Sequence, residues 1–423
     1  MNIPESALKR VVIIGAGFGG LQIAKNLNRN HFQVVLIDKN NYHTFQPLLY
    51  QIATAEIEPD SIVHEIRSII KNKKNFFFRL AHVTRIDAQE RKIFSDIGSI
   101  SYDYLIIATG SKTNYFGNSN VERYAFSMKT ISEAIHLRGM IFKNIESALI
   151  TNDLNERDSL ISFVIAGGGP TGVELAGALS DLKKFVLPYE YPDLDISRMS
   201  IYLIQSTFRL LDGMSEASAE CALQSLKERG VNVLLNSPVK DYDGREVIMN
   251  DGRKISSMNL IWAAGVKGAL IEGFKSDSIE SFRLLVDEYN KVKNYEDIFA
   301  IGDIAAMKTD KRFAHPMVAQ PAIQQGINLA NNLNSLVNGN KIKRFRYVDR
   351  GSMATIVRNK AVCDLPWFHF KGFFAWLVWM VIHLLNLVGF RNRLVVLTNW
   401  IIQYFQHNKS LRLIIKPYSR CRI

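Results

Sequence analysis

Two sets of glycines carry the first chemical signal. Gly15, Gly17 and Gly20 lie in KRVVIIGAGFGGLQIAKNL (residues 9–27), and Gly167, Gly169 and Gly172 lie in SFVIAGGGPTGVELAGAL (162–179). In both, G-x-G-x-x-G follows an apolar run and opens an amphipathic one. That spacing suits a dinucleotide: the first glycine makes a tight turn, the second lets the backbone approach a pyrophosphate, and the third lets helix pack on strand. An acid ending the next strand would accept from ribose hydroxyls. FQVVLID ends in Asp38, whereas SIYLIQS reaches Gln205, an amide where an acid is usual. A third set consists of amides, in HPMVAQPAIQQG (315–326), where Gln320 and Gln324 share one helical face. Neutral donors beside an apolar slot suit a flat ring with carbonyl acceptors, because a charge there would be costly to desolvate. The same pattern also suits a helix start with proline in its first turn.

These residues need elements to hold them. Each glycine loop sits between a buried strand and a helix, and each unit closes with a similar strand. YLIIATG ends at Thr109 and Gly110, and NLIWAAG ends at Gly265. Gly15 to Gly110 is 95 residues and Gly167 to Gly265 is 98, which argues for two copies of one architecture. The chain returns to the first copy through DIFAIGDIAA (297–306), which carries Asp303. The expected fold is α/β, with two Rossmann-like dinucleotide-binding domains, one inserted in the other. The expected boundaries are 1–115 and 285–345 for the outer domain, 116–284 for the inserted one, and 346–423 for a C-terminal helical module.

A chain of 423 residues is long enough for two or more cores. Its net charge of +12 is confined to the end: residues 341–423 carry +13 and the rest −1, which argues against a nucleic-acid partner. Cys221, Cys363 and Cys421 are far apart and form no CxxC, so neither a disulfide framework nor a zinc site is expected. The nine histidines are scattered, and no metal site is proposed. MNIPESALKR runs straight into a strand without a signal-peptide pattern, and a cytoplasmic body is expected.

The duplicated glycine loops resemble those of the two-dinucleotide-binding flavoproteins. That resemblance implies FAD at the first site, with Gly15, Gly17, Gly20, Asp38, Thr109, Gly110 and Asp303, the last facing the flavin ribitol. It implies NADH at the second, with Gly167, Gly169, Gly172, Gln205 and Gly265, and Gln205 leaves room for NADPH as a second donor. NNYHTFQPLLYQIATAEIEPDSI (40–62) holds no cysteine pair, so the thiolate that a disulfide reductase needs is missing. AQPAIQQG, NYHTFQPLLYQIATAEIEPD, GGGPTGVELAGAL, IWAAGV and GSMATIVRNKAV are similar to the type II NADH dehydrogenases, the single-subunit NADH:quinone oxidoreductases that do not pump protons. The resemblance implies a respiratory-chain enzyme in which Gln320, Gln324, Glu174 and Lys360 serve the quinone and its protons. Glu174 also reads as an ordinary first-turn glutamate, and Lys360 as a solvated surface lysine. Two readings stay open beside this one: a flavoprotein reductase with another acceptor, and a membrane-tethered redox sensor.

Residues 373–390, FFAWLVWMVIHLLNLVGF, are uncharged, and a second apolar run covers 394–405. Four of the five tryptophans and the basic residues cluster here, as a unit lying in one leaflet requires. His383 and Asn386 on one face argue against a spanning helix. The expected partners are a bilayer surface, menaquinone or ubiquinone, and a second copy in a homodimer. The expected place is the cytoplasmic face of the inner membrane.

Overall fold

The structure is a computed structural model that describes residues 1–71, 74–309, 313–406 and 412–414. Cys421 and the cations Lys409, Lys416, Arg420 and Arg422 lie outside the described residues. The chain divides into two compact units, the first made of Met1–Thr44, His64–Lys112 and Val266–Arg350, the second of Phe45–Val63, Thr113–Gly265 and Gly351–Ile423.

The first unit is built on a five-stranded parallel sheet. Its order is Ile298–Ala300, Tyr104–Ile107, Lys9–Ile14, Phe32–Asp38, Phe76–Leu80. Such strands are apolar on both faces because both are covered. Val12, Ile14, Val35, Ile37, Leu105 and Ile107 point one way, into a core shared with Ile86, Ile93 and Ile100 of a small antiparallel sheet. Val11, Ile13, Val34, Leu36 and Ile106 point the other way, toward the helices Phe18–Asn26 and Ala319–Val337. Those two helices meet at glycines: a Cβ on Gly326 would come within 2.5 Å of the Gly19 carbonyl oxygen.

The second unit repeats the plan. Its parallel sheet runs Phe126–Ser127, Asn259–Trp262, Ser162–Ala166, Ser200–Ile204, Val231–Leu234. The helix Ile131–Ile150 starts at a capping box, in which Thr130 Oγ1 accepts from the Glu133 N–H and Glu133 Oε2 accepts from the Thr130 N–H. An antiparallel sheet, Ser352–Val357, Lys360–Leu365, Phe368–Gly372, packs on the helix Pro170–Phe185. Gly177 of that helix touches the strand so closely that a Cβ would lie 1.5 Å from the Ile356 carbonyl oxygen.

The units differ from the expected boundaries, first in that residues 45–63, expected in the outer domain, fall in the second unit. Residues 266–284 belong with the first unit, because Leu270, Ile271, Phe274 and Ile279 pack against its core. The described residues from 351 to 406 are continuous with the second unit, joined through the contact at Gly177. The apolar run also breaks earlier than its composition suggests. The helix Phe373–Asn386 ends before Gly389, which has φ +90°, and a new helix covers Phe390–Gln406. Fourteen residues span about 21 Å. Among the described residues, no helix is long and apolar enough to cross a membrane.

Candidate functional site

The two glycine loops share one local geometry. Gly15 has φ +104° and Gly167 φ +114°, and a Cβ on either would strike the backbone of the closing strand, at Ala108 or Ala263. A Cβ on Gly20 or Gly172 would lie 1.9 or 1.8 Å from the carbonyl oxygen of the first glycine. Around the middle glycines, Gly17 and Gly169, a Cβ would meet nothing within 4 Å. These two are the N-caps of Phe18–Asn26 and Pro170–Phe185, and neither helix has a side-chain cap. An open cradle facing uncapped N–H groups at the positive end of a helix fits a pyrophosphate.

In the first unit, Asp38 Oδ2 accepts from the Ala16 N–H at 2.6 Å and Oδ1 from the Asn40 N–H at 2.8 Å. Burial raises its pKa and those bonds oppose the rise. Asp303 accepts from the Ser111 hydroxyl at 2.5 Å, and Thr109 Oγ1 donates to the Ala269 carbonyl at 2.8 Å. Gly110, φ +70°, lets the strand turn away beside them. This set fits the flavin dinucleotide: a cradle for its pyrophosphate and carboxylates for its sugar hydroxyls. Ser111, next to the Ala-Thr-Gly run, was not singled out by the sequence.

Two amides of the 319–337 helix, expected to face a quinone ring, pair with backbone groups of the 348–350 segment. Gln324 Nε2 donates to the Val348 carbonyl at 2.8 Å and its Oε1 accepts from the Val348 N–H at 3.0 Å. Gln320 Oε1 accepts from the Arg350 N–H at 3.1 Å. Buried Gln325 accepts from the Gly302 N–H at 2.7 Å, holding the turn that presents Asp303. A carboxamide both donates and accepts, so it can pair with a backbone amide as another strand would. These side chains pin the extended segment 345–350 and the 302–304 turn to the helix.

Glu174 lies beyond the first turn of its helix and is buried. Burial lifts its pKa well above the usual carboxylate value, and a bond from the Thr355 N–H only partly opposes that. It borders an open cavity with Trp376, Trp379, Trp400 and Tyr404 on its walls. A chain of bonds crosses this wall. Trp400 Nε1 donates to Gln51 Oε1 at 3.0 Å, Gln51 Nε2 donates to the Tyr50 hydroxyl at 3.1 Å, and that hydroxyl meets Thr355 Oγ1 at 3.0 Å. Burial and the neighbouring Glu174 push the Tyr50 hydroxyl pKa up. Tyr50 and Thr355 are separated by 305 residues, and no local pattern announces their pairing. Lys360 is at the tip of the Ser352–Leu365 hairpin, paired with exposed Glu228 at 2.7 Å, and does not border this cavity.

Gln205 Oε1 accepts from the Gly168 N–H at 2.8 Å, as Asp38 does from Ala16 in the first unit. Gly265 follows the closing strand, with the Phe116 ring against it. Among the described residues, no group of three His, Cys, Asp or Glu side chains is placed to hold a metal ion.

The helices Phe373–Asn386 and Phe390–Gln406 turn their apolar sides outward. Phe374, Leu377, Val381 and Leu385 form one exposed stripe, Phe390, Leu394, Ile401 and Phe405 another, and Phe390 is 80% exposed. The opposite sides bury Ala375, Trp379, Val396 and Trp400. An exposed apolar surface of this length on a folded chain marks contact with a membrane or a partner. Lys371, Arg391 and Arg393 flank it.

Fold and site together define a flavoprotein with separate flavin and nicotinamide dinucleotide sites. Residues 9–326 match the pyridine nucleotide-disulphide oxidoreductase family, and residues 350–407 match the NDH2 C-terminal domain. Two Mycobacterium tuberculosis proteins named type II NADH:quinone oxidoreductase are similar along nearly the whole chain. One is 34% identical, covering 98% of this chain and 92% of its own, and the other is 36% identical, covering 93% and 87%. A Plasmodium falciparum NDH2 structure in complex with NADH shares the fold, with TM-score 0.88 and 24% identity over 96% of this chain and 100% of its own. The chain belongs to the type II NADH:quinone oxidoreductases.

Proposed function

We propose that this protein oxidises NADH and reduces a membrane quinone by two electrons through FAD, without pumping protons. FAD, when bound, supplies the group that accepts a hydride and returns two electrons. The chain's own residues bind, orient and manage protons. Gly15, Gly17 and Gly20 with Asp38 hold one dinucleotide, and Ser111 and Gln325 keep Asp303 aimed at its sugar chain. Gly167, Gly169 and Gly172 with Gln205 hold the other. The observation that carries the quinone half is a buried carboxyl, Glu174, at a cavity walled by aromatic side chains of the outward-facing helices. An apolar ring fits those walls, and a carboxyl whose pKa is raised by burial suits the delivery of a proton to a reduced quinone oxygen.

The exposed stripes support a monotopic seat in one leaflet, with Lys371, Arg391 and Arg393 against anionic headgroups. We place the protein on the cytoplasmic face, as a homodimer, with menaquinone or ubiquinone as acceptor. Anaerobic stopped-flow tests the activity. Flavin should bleach with NADH and recover its absorbance on adding a water-soluble quinone. Flavin that bleaches but is not reoxidised by quinone would overturn the quinone assignment. Light scattering in detergent checks the dimer.

A further inference from the structure

Asp38 and Gln205 close the same strand–loop–helix unit in its two copies, but the far ends of their side chains differ. Asp38 Oδ1 accepts from the Asn40 N–H, so the negative charge stays at the strand end. Gln205 Nε2 instead donates to Thr207 Oγ1 at 2.7 Å, and the Thr207 hydroxyl reaches Asp212 Oδ2 at 2.7 Å. Arg209 Nε lies 3.1 Å from Asp212 Oδ1, and Arg209 Nη2 donates to the Asp212 carbonyl at 2.7 Å. The loop is folded onto the dinucleotide cradle itself, since the Leu211 N–H donates to the Gly168 carbonyl at 2.8 Å. The side chains of Arg209 and Asp212 are 31% and 44% exposed, open to an incoming group.

The charge missing from the strand end has thus been moved one hydroxyl away. A ribose 2′-hydroxyl needs an acceptor, which Asp212 offers. A 2′-phosphate needs a cation with no competing anion, and here the nearby cation is already paired. We propose that Asp212 is a specificity-determining residue for the electron donor: it keeps Arg209 from serving as a phosphate ligand and makes the site discriminate against NADPH. The proposal rests on reading the second unit as an NADH site. It reverses what the neutral Gln205 suggests alone, namely relaxed donor choice.

The test uses the intact FAD-loaded protein and two fragments that differ by one phosphate, AMP and adenosine 2′,5′-bisphosphate. Calorimetry gives the ratio of their affinities in the wild type, in Asp212→Asn and in Asp212→Asn/Arg209→Gln. The wild type should favour AMP. Asp212→Asn should shift the ratio toward the bisphosphate by about tenfold, as expected for removing one partly screened charge. The second substitution should cancel that gain, and Asp212→Glu should keep the wild-type preference. The ratio of kcat/KM for NADPH and NADH should move in parallel. A wild type that favours the bisphosphate, or an Asp212→Asn ratio within about twofold of wild type, overturns the proposal. Binding decides the role of Asp212, whereas a wild type that binds AMP but oxidises neither donor would sink the NADH reading itself.

Discussion

Replacing Glu174 by glutamine tests whether the carboxyl at the cavity is held uncharged. The side chain is buried, burial is the dominant cause of its raised pKa, and a single backbone N–H, from Thr355, pulls the other way. Unfolded, the group ionises near its ordinary value of 4.5. Above that pH the folded protein keeps a proton that the unfolded chain has released. The stability this group contributes is therefore fully present below about pH 4.5 and is lost as pH rises toward the folded pKa. One proton sets the slope, about 1.4 kcal/mol per pH unit. Glutamine fills nearly the same volume, keeps an acceptor for the Thr355 N–H and has no proton to lose, so this slope disappears. Urea unfolding of both proteins at pH 5, 6, 7 and 8, followed by tryptophan fluorescence, should show the variant gaining on the wild type with each step. The gain should stop only where the folded carboxyl itself ionises. A difference that stays flat from pH 5 to 8 would mean that the carboxyl is already charged in the folded protein, and its role as a proton reservoir would fall. In stopped-flow the variant should be reduced by NADH at the wild-type rate and reoxidised by quinone more slowly.

Gln324→Leu removes both bonds to Val348, and at about 0.5–1.5 kcal/mol each the loss should total roughly 1–3 kcal/mol, read as a lower urea midpoint. If that amide only holds backbone, its loss should affect flavin reduction and reoxidation alike; slowing of reoxidation alone would support a direct quinone contact. Trp400→Phe keeps an aromatic wall but leaves buried Gln51 Oε1 without its donor, at a cost of about 1–3 kcal/mol. An unchanged midpoint would show that this bond contributes nothing in solution. Leu385→Glu with Phe405→Glu puts two charges on the outward apolar stripes and should move the protein from vesicles to the supernatant at physiological salt, with flavin reduction by NADH intact. Continued sedimentation with vesicles would rule out this face as the anchor. Point substitutions are preferable to removing 366–423, since Trp379 and Trp400 also wall the Glu174 cavity.

What the sequence determined by itself was local. Glycines at fixed offsets make the cradle because a turn with φ above +100° and a carbonyl within 2 Å of a would-be Cβ exclude other residues. Continuous apolar strands between helices specify a parallel sheet covered on both faces, and their recurrence specifies two such units. The apolar end of the chain is legible by composition, whereas its break at Gly389 is a feature of the folded backbone. Tertiary structure decided the partners of polar side chains. Gln320 and Gln324 have the chemistry of a quinone ligand, and folding also returns residues 348–350 to them, since a carboxamide pairs equally well with a peptide group. Tyr50, Gln51, Thr355 and Trp400 are ordinary residues in sequence, and they form a buried chain only because segments about 300 residues apart are packed together. Asp212 shows the same limit within one loop, where a charge read as absent at Gln205 is restored through the Thr207 hydroxyl. Backbone geometry is a property of neighbouring residues, whereas a hydrogen bond between side chains depends on which distant segment the fold brings within 3 Å.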